Sequence, residues 1–172
     1  MRPASDLTEA ELSAENEGGT SEILTFRIGT ETFGIRVMHV REVLDHKPIA
    51  RVSNAPPTLL GMIDVRGIGV PVVDLKLKLR MAAGGEGEGE PTPDSRIVVL
   101  EFDAAGRHQT VAIVADAVYE VSDLGDAALE RPPQFGESWN SAFMTGLGRR
   151  GESFLTLLDI PHLFETAADL AA

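Results

Sequence analysis

Residues 24–37 read LTFRIGTETFGIRV. Leu24, Phe26 and Ile28 alternate with Thr25 and Arg27. Gly29-Thr30-Glu31-Thr32 interrupts the run, and Phe33, Ile35 and Val37 then alternate with Gly34 and Arg36. An apolar residue at every second position on both sides of a glycine-containing break predicts a β-hairpin. Downstream, Val37, Val40, Val43 and Leu44 take a helix-like spacing, which predicts a short helix over about 38–44, before Pro48. Ile49–Val52 reads as a short strand and Pro56–Leu60 as a further turn of helix. Ile63–Val65 and Val70–Leu79 read as strands around a turn at Arg66-Gly67-Ile68-Gly69. Lys76, Lys78 and Arg80 alternate with Leu75, Leu77 and Leu79, the pattern of a strand with one solvated face. The run VAIVA at 111–115 reads as a strand buried on both faces. Ile160-Pro161-His162-Leu163-Phe164 opens a short helix with proline in its first turn.

The order repeats. Ser21-Glu22-Ile23-Leu24-Thr25-Phe26 meets Ser95-Arg96-Ile97-Val98-Val99-Leu100 at an offset of 74, and Val40-Arg41-Glu42-Val43 meets Val118-Tyr119-Glu120-Val121 at an offset of 78. Gly61 and Asp74 stand 13 apart, as do Gly146 and Asp159, at an offset of 85. An Arg-Gly pair, Arg66-Gly67 or Arg150-Gly151, lies inside each interval. Drifting offsets place the insertions in loops. Two copies of a unit with about five short strands predict two small barrels or strongly bent sheets, in which closure hides strand edges. Each copy is near the lower size limit for an independent core, so the two should bury apolar surface against each other and leave a groove.

Charge marks the ends of this order. The chain of 172 residues has a formal net charge of −12. Residues 1–22 hold six acids and one base, and residues 82–94 hold four acids and no base. Both stretches are poor in large apolar residues, so 1–20 reads as a mobile acidic tail, with a nascent helix near Leu7–Leu12, and 82–93 as a flexible loop. An acid excess with 5% aromatic residues argues against nucleic acid, which needs cations for phosphates and aromatic faces for bases. It argues equally against an anionic membrane surface. No apolar run approaches the ~20 residues of a membrane span, and the N-terminal stretch has no apolar core resembling a secretory signal. The expectation is a cytoplasmic protein without membrane insertion.

Little in the chain suggests chemistry. It has no cysteine, so no disulfide or thiolate site. His39, His46, His108 and His162 show no metal-ligand spacing, and no hydrolase, zincin or nucleotide motif occurs. Asp74 and Asp159 could pair as carboxylates, but their equivalent places in the repeat predict a structural duty, such as capping a turn at a strand end. Arg66, at a Gly-flanked turn, reads either as a solvated turn residue or as an arginine held out to a partner. Glu42 reads as a solvated helix position, and Trp139 and Phe143 as packing on the second unit. The expectation is no catalysis, no metal and no cofactor.

The order Phe26-x-Ile28-Gly29-x-Glu31-x-Phe33-Gly34-Ile35, Val40-x-Glu42-Val43, Asn54-Ala55-Pro56, Gly61-x-Ile63-x-Val65-Arg66-Gly67 and Val70-Pro71-x-Val73-Asp74-Leu75 resembles the CheW coupling proteins of bacterial chemotaxis. Ile113-Val114-x-Asp116-x-Val118, Pro132-Pro133, Gly146-Leu147-Gly148 and Leu157-Leu158-Asp159-Ile160 continue the likeness, which covers about 22–166. The resemblance implies a mainly β fold of two five-stranded, SH3-like barrels in a pseudo-twofold arrangement with short helices. On this reading a CheW-like domain spans 21–166, with subdomain one at about 21–81, the loop 82–93, subdomain two at about 94–160 and a C-terminal helix at about 161–168. It implies an adaptor, not an enzyme, that joins the hairpin tips of chemoreceptors to the regulatory domain of a CheA-type histidine kinase, with further CheW-like proteins in rings, at membrane receptor arrays. Val40, Glu42, Gly61, Arg66 and Gly67 match the receptor-binding region. Ile97 and Val121 match kinase-binding positions. Two departures stand out: Gly69 where many members carry an apolar residue, and Asp64 in place of a usual asparagine. They leave room for an accessory coupler of a non-flagellar pathway with altered partners. A nucleic-acid-binding SH3- or OB-like protein is the reading from another class.

Overall fold

The computed structural model describes residues 22–79, 81, 90–123, 130, 143–150 and 152–164. The hairpin read from residues 24–37 is present. Strand β1 (Glu22–Ile28) pairs antiparallel with β2 (Glu31–Arg36), with Phe26 opposite Phe33 and their rings stacked at 5.9 Å. Gly29 turns the chain at φ 62° and donates its N–H to Asp116 Oδ2 at 2.6 Å, which ties the turn to the distant second repeat.

Further along lie β3 (Val40–Asp45), β4 (Leu59–Val65), β5 (Ile68–Val73), α1 (Leu75–Lys78), β6 (Arg96–Ala104), β7 (Arg107–Ala115), β8 (Ala117–Asp123), β9 (Met144–Arg150), β10 (Ser153–Leu158) and α2 (Ile160–Leu163). The strands form two five-stranded sheets, ordered β8-β1-β2-β10-β9 and β3-β6-β7-β5-β4. Exchanging β1–β5 with β6–β10 maps one order onto the other, so the repeat in sequence is a pseudo-twofold in space. The parallel pairs obey it too: Leu157 lies beside Gly34 as Val72 lies beside Ala112. Each sheet closes on itself. The chain leaving β3 runs back along β4, where Ala50 and Met62 exchange backbone hydrogen bonds of 2.9 and 2.8 Å, and Glu130 and Leu147 do the same for β9 at 2.7 and 2.8 Å.

Burial follows this layout. Ile63, Val65, Val70, Val72, Ile97, Val99 and Ala112 fill one barrel, and Ile23, Leu155 and Leu157 fill the other. Leu24, Phe26, Ile35, Val98, Leu100, Ile113 and Phe164 belong to a larger core between the sheets. Strands β1 and β6 are therefore buried on both faces, and so is VAIVA in β7.

Several expectations are corrected. Subdomains at 21–81 and 94–160 do not describe the sheets, because each barrel takes two strands from one repeat and three from the other. The helix expected over 38–44 is a single 3-10 turn, Val37–His39, followed by β3. A register shift between Val40 and Glu42 breaks the strand's alternation and produced the helix-like spacing. Ile49–Val52 contributes one bridge at Ala50, and Pro56–Leu60 is a turn leading into β4. The strand expected to run to Leu79 ends at Val73, and Leu75–Lys78 is helical. The turn at 66–69 is two residues long, with Ile68 already in β5. The final helix is described only over Ile160–Leu163. The tail 1–20, the loop up to residue 89 and Trp139 lie outside the described residues.

Candidate protein-docking edge

The turn joining β4 to β5 holds Arg66 at φ 53° and Gly67 at φ 83°. Positive φ at both central residues is the two-residue hairpin geometry that matches strand twist. Gly67 suits it, and a Cβ there would meet nothing within 4 Å. Arg66 occupies the left-handed region at a cost of about 1–2 kcal/mol. Asp64 offsets part of that: its Oδ1 accepts the Gly67 N–H at 2.7 Å. Lys47 donates from Nζ to the Asp64 carbonyl, tying the turn to the chain beyond β3.

This geometry carries the Arg66 side chain across the barrel's seam. Its Nη2 lies 3.2 Å from Oε2 of Glu42 on β3, the opposite edge strand; the side chains are 62% and 7% exposed. Glu42 is thus buried, not the solvated position expected, and its Oε2 receives no aligned hydrogen bond. The contact is one of charge with charge. The exposed apolar side chains Val52, Leu60 and Ile68 lie on the same hairpin or on the segment beside it. Sequence reading missed these three as surface residues; their signal was an apolar side chain at a strand end or in a loop.

The other matched positions divide. Gly61 is buried and carries backbone, since a Cβ there would stand 2.2 Å from the Ala50 carbonyl oxygen. Val40 is 3% exposed in the central core and Ile97 is fully buried in its barrel. Neither can touch a partner with its side chain, and both are corrected from contact to core residues. Val121, on edge strand β8, is half-buried against the central core.

The second barrel repeats the seam contact with different parts. Arg150 Nε lies 3.3 Å from Glu120 Oε1, and its guanidinium sits 4.1 Å from the Tyr119 ring centroid. Asp74 and Asp159 take the capping duty expected of them. Asp74 Oδ1 accepts from the N–H groups of Lys76 and Leu77, and Asp159 Oδ1 from that of His162. Among the described residues no group of three or more His, Asp or Glu side chains could hold a metal. Burial pushes His39 below the ordinary 6.5, against the ring's hydrogen bond to the Glu101 backbone carbonyl and the charge of Asp159.

A CheW-like domain model matches residues 22–168. The chain belongs to the CheW-like family. It is 32% identical over 159 residues to the chemotaxis protein CheW of Klebsiella aerogenes, covering 92% of this chain and 89% of that one. It is 27% identical over 154 residues to a probable chemotaxis protein CheW of Rhizobium etli, covering 90% and 94%. The crystal structure of the scaffolding protein TtCheW from Thermoanaerobacter tengcongensis superposes with a TM-score of 0.72 at 27% identity, over 87% of this chain and 91% of that one. Among the described residues no helix is long and apolar enough to cross a membrane.

Proposed function

We propose that this CheW-like protein is a non-catalytic adaptor that couples the cytoplasmic tips of chemoreceptors to the regulatory domain of a CheA-type histidine kinase in a chemosensory array. The observation that carries this reading is the Arg66 edge. A guanidinium held in a left-handed turn and anchored on a buried carboxylate, with exposed Ile68 beside it and exposed Leu60 and Val52 at the other end of the same hairpin, has the composition of a protein-binding hot spot. The receptor tip docks there, through Arg66 and Gly67 at the turn and the apolar side chains along the hairpin. The kinase takes a separate surface that includes the β8 edge near Val121, and further CheW-like copies extend the ring. The protein works in the cytoplasm, against membrane receptors. The test is co-sedimentation of the chain with receptor tip fragments and kinase, scoring kinase activity. A ternary pellet with altered kinase activity is the expected result. Binding to neither partner, or to nucleic acid instead, overturns it.

Gly69 favours a second form of this reading, an accessory coupler with its own receptor set. Gly69 is exposed opposite Asp64, and a Cβ there would meet only the mobile end of Met62 at 3.3 Å. The fold therefore accepts a side chain at 69, and the docking edge simply lacks one. Gly69→Val tightening one receptor tip and weakening another would identify this form.

A further inference from the structure

The pseudo-twofold shows one cross-strand position that the fold fills in one barrel and leaves open in the other. Asp74 N–H donates to the Thr58 carbonyl at 2.7 Å and Asp159 N–H to the Phe143 carbonyl at 2.9 Å, so the β4–β5 and β9–β10 hairpins correspond at the offset of 85. At that offset Asp64 and Gly69 match Arg149 and Phe154, and the members of each pair stand directly opposite one another in their hairpin. Side chains of directly opposed residues share one face and can touch. On β9–β10 the chain fills the position itself: the Arg149 guanidinium lies 4.7 Å from the Phe154 ring centroid, and its Nη2 is 3.9 Å from Glu130 Oε1. On β4–β5 Gly69 has no side chain, and a Cβ there would meet only the Met62 methyl at 3.3 Å. The result is a slot one side chain wide, between Met62 and the exposed Asp64. Asp64 Oδ1 accepts the Gly67 N–H at 2.7 Å, which leaves Oδ2 without a partner among the described residues. The cations nearby are engaged otherwise. Lys47 Nζ donates to the Asp64 backbone carbonyl, and Arg66 Nη2 lies against Glu42.

We propose that this slot receives a lysine or arginine side chain of the receptor tip, which makes Asp64 a specificity-determining residue of the edge; the inference rests on the tip docking at Arg66. A long basic side chain satisfies both halves of the slot. Its aliphatic stem lies over Gly69 and against Met62, and its charged head reaches the Asp64 carboxylate. An acid at the same place on the partner meets a like charge. A purely apolar side chain covers the carboxylate and gives it nothing in return. The chain thus takes from its partner the cation that it supplies to itself at Arg149. Discrimination between tips follows from the position of one charge rather than from the total charge.

The test titrates the full chain with a single-chain helical hairpin carrying a chemoreceptor tip, whose lysines and arginines are changed to alanine one at a time. Against the wild-type chain one of these changes should weaken binding about threefold, the size of an exposed ion pair, and most of that loss should vanish in about 0.5 M salt. Against Asp64→Asn the same change should have no effect. Asparagine keeps an oxygen for the Gly67 N–H, so the turn stays and only the charge goes. Gly69→Val fills the slot and should abolish the same difference. An Asp64→Asn chain that distinguishes the tip variants as the wild type does, or that binds the unaltered tip more tightly, overturns the proposal. Arg66→Ala separates it from the reading it rests on. Tip affinity unchanged in Arg66→Ala means that the tip docks elsewhere, and both fail. Affinity about tenfold down in Arg66→Ala, with no basic residue of the tip coupled to Asp64, sinks the slot alone. Circular dichroism matching the wild type qualifies Asp64→Asn and Gly69→Val, and a wild-type chain indifferent to every basic residue of the tip overturns the proposal without either variant.

Discussion

Arg66 on the β4–β5 turn and Glu42 on β3 meet across the seam of one barrel, Nη2 to Oε2 at 3.2 Å, with the carboxylate buried and the guanidinium largely in water. The pair therefore serves two levels at once. It holds two edge strands together, and it aims a cation at the surface from a fixed base. Because the two partners differ so much in exposure, the consequences of removing each differ as well.

Arg66→Ala strips a buried carboxylate of its counter-charge. The cost should be about 1–2 kcal/mol, between the value of exposed pairs and that of fully buried ones. Arg66→Glu should cost more, since it sets a second carboxylate against Glu42. Adding Glu42→Gln to Arg66→Ala should recover most of the stability, because the buried charge is gone. It should not recover receptor-tip affinity, which should stay at least tenfold down. Urea unfolding and a pairwise titration separate the two effects. Full recovery of affinity in the double variant would make Arg66 a structural residue only.

Gly61 and Gly67 both have positive φ, yet they should respond to alanine in opposite degree. At Gly61 the new Cβ would stand 2.2 Å from the Ala50 oxygen, so the segment closing the barrel must move off β4. A loss of about 3 kcal/mol or more is expected, in the class of strained, overpacked sites. Gly67→Ala meets open space and should cost about 1 kcal/mol, the left-handed penalty alone. Chemical denaturation ranks them, and equal losses would contradict the close approach at Gly61.

Asp74→Ala and Asp159→Ala should each destabilise by about 1 kcal/mol through loss of an N-cap. Asp74 caps two N–H groups and Asp159 one, so Asp74 should cost more. Asparagine at either place should restore most of the loss. Thermal unfolding of the four variants is the measurement.

His39 contributes a pH dependence of known sign. Its folded value is depressed below 6.5 by burial, so just below that pH the unfolded chain binds the extra proton first. The histidine's contribution is intact above pH 6.5 and declines as pH falls from there toward the folded value. His39→Gln should flatten the slope of stability against pH in that window. An unchanged slope would mean that His39 is as accessible to protons folded as unfolded.

The residues that could be read correctly are those whose pattern is local. The 24–37 hairpin announced itself by alternation across Gly29, and the shared duty of Asp74 and Asp159 by their spacing from Gly61 and Gly146. What misled was local pattern cut across by distant pairing. Leu75, Leu77 and Leu79 alternate like a strand, but the Asp74 cap folds them into a helical turn, and of the helix only Leu75 is buried. Val37–Leu44 mimics a helix because a 3-10 turn and a shifted register interrupt β3. At the candidate edge, the turn at Arg66 and Gly67 was legible from its flanking glycines. The burial of Glu42, Val40 and Ile97 was not, since it depends on strands from the other repeat. Composition cannot say which strand will lie alongside which.

The exchange of strands between repeats sets a timetable for the nascent chain. The β1–β2 hairpin leaves the ribosome early, but its sheet neighbours β8, β9 and β10 are the last strands made. At about 5–20 residues per second, the stretch from Arg36 to Ser153 takes on the order of 6–25 s to synthesise. The β1 edge is bare until β8 is made and the β2 edge until β10 is, the condition that invites pairing with other nascent chains and recruits chaperones. Neither barrel can close from the first repeat alone: one waits for β7 and the other for β10.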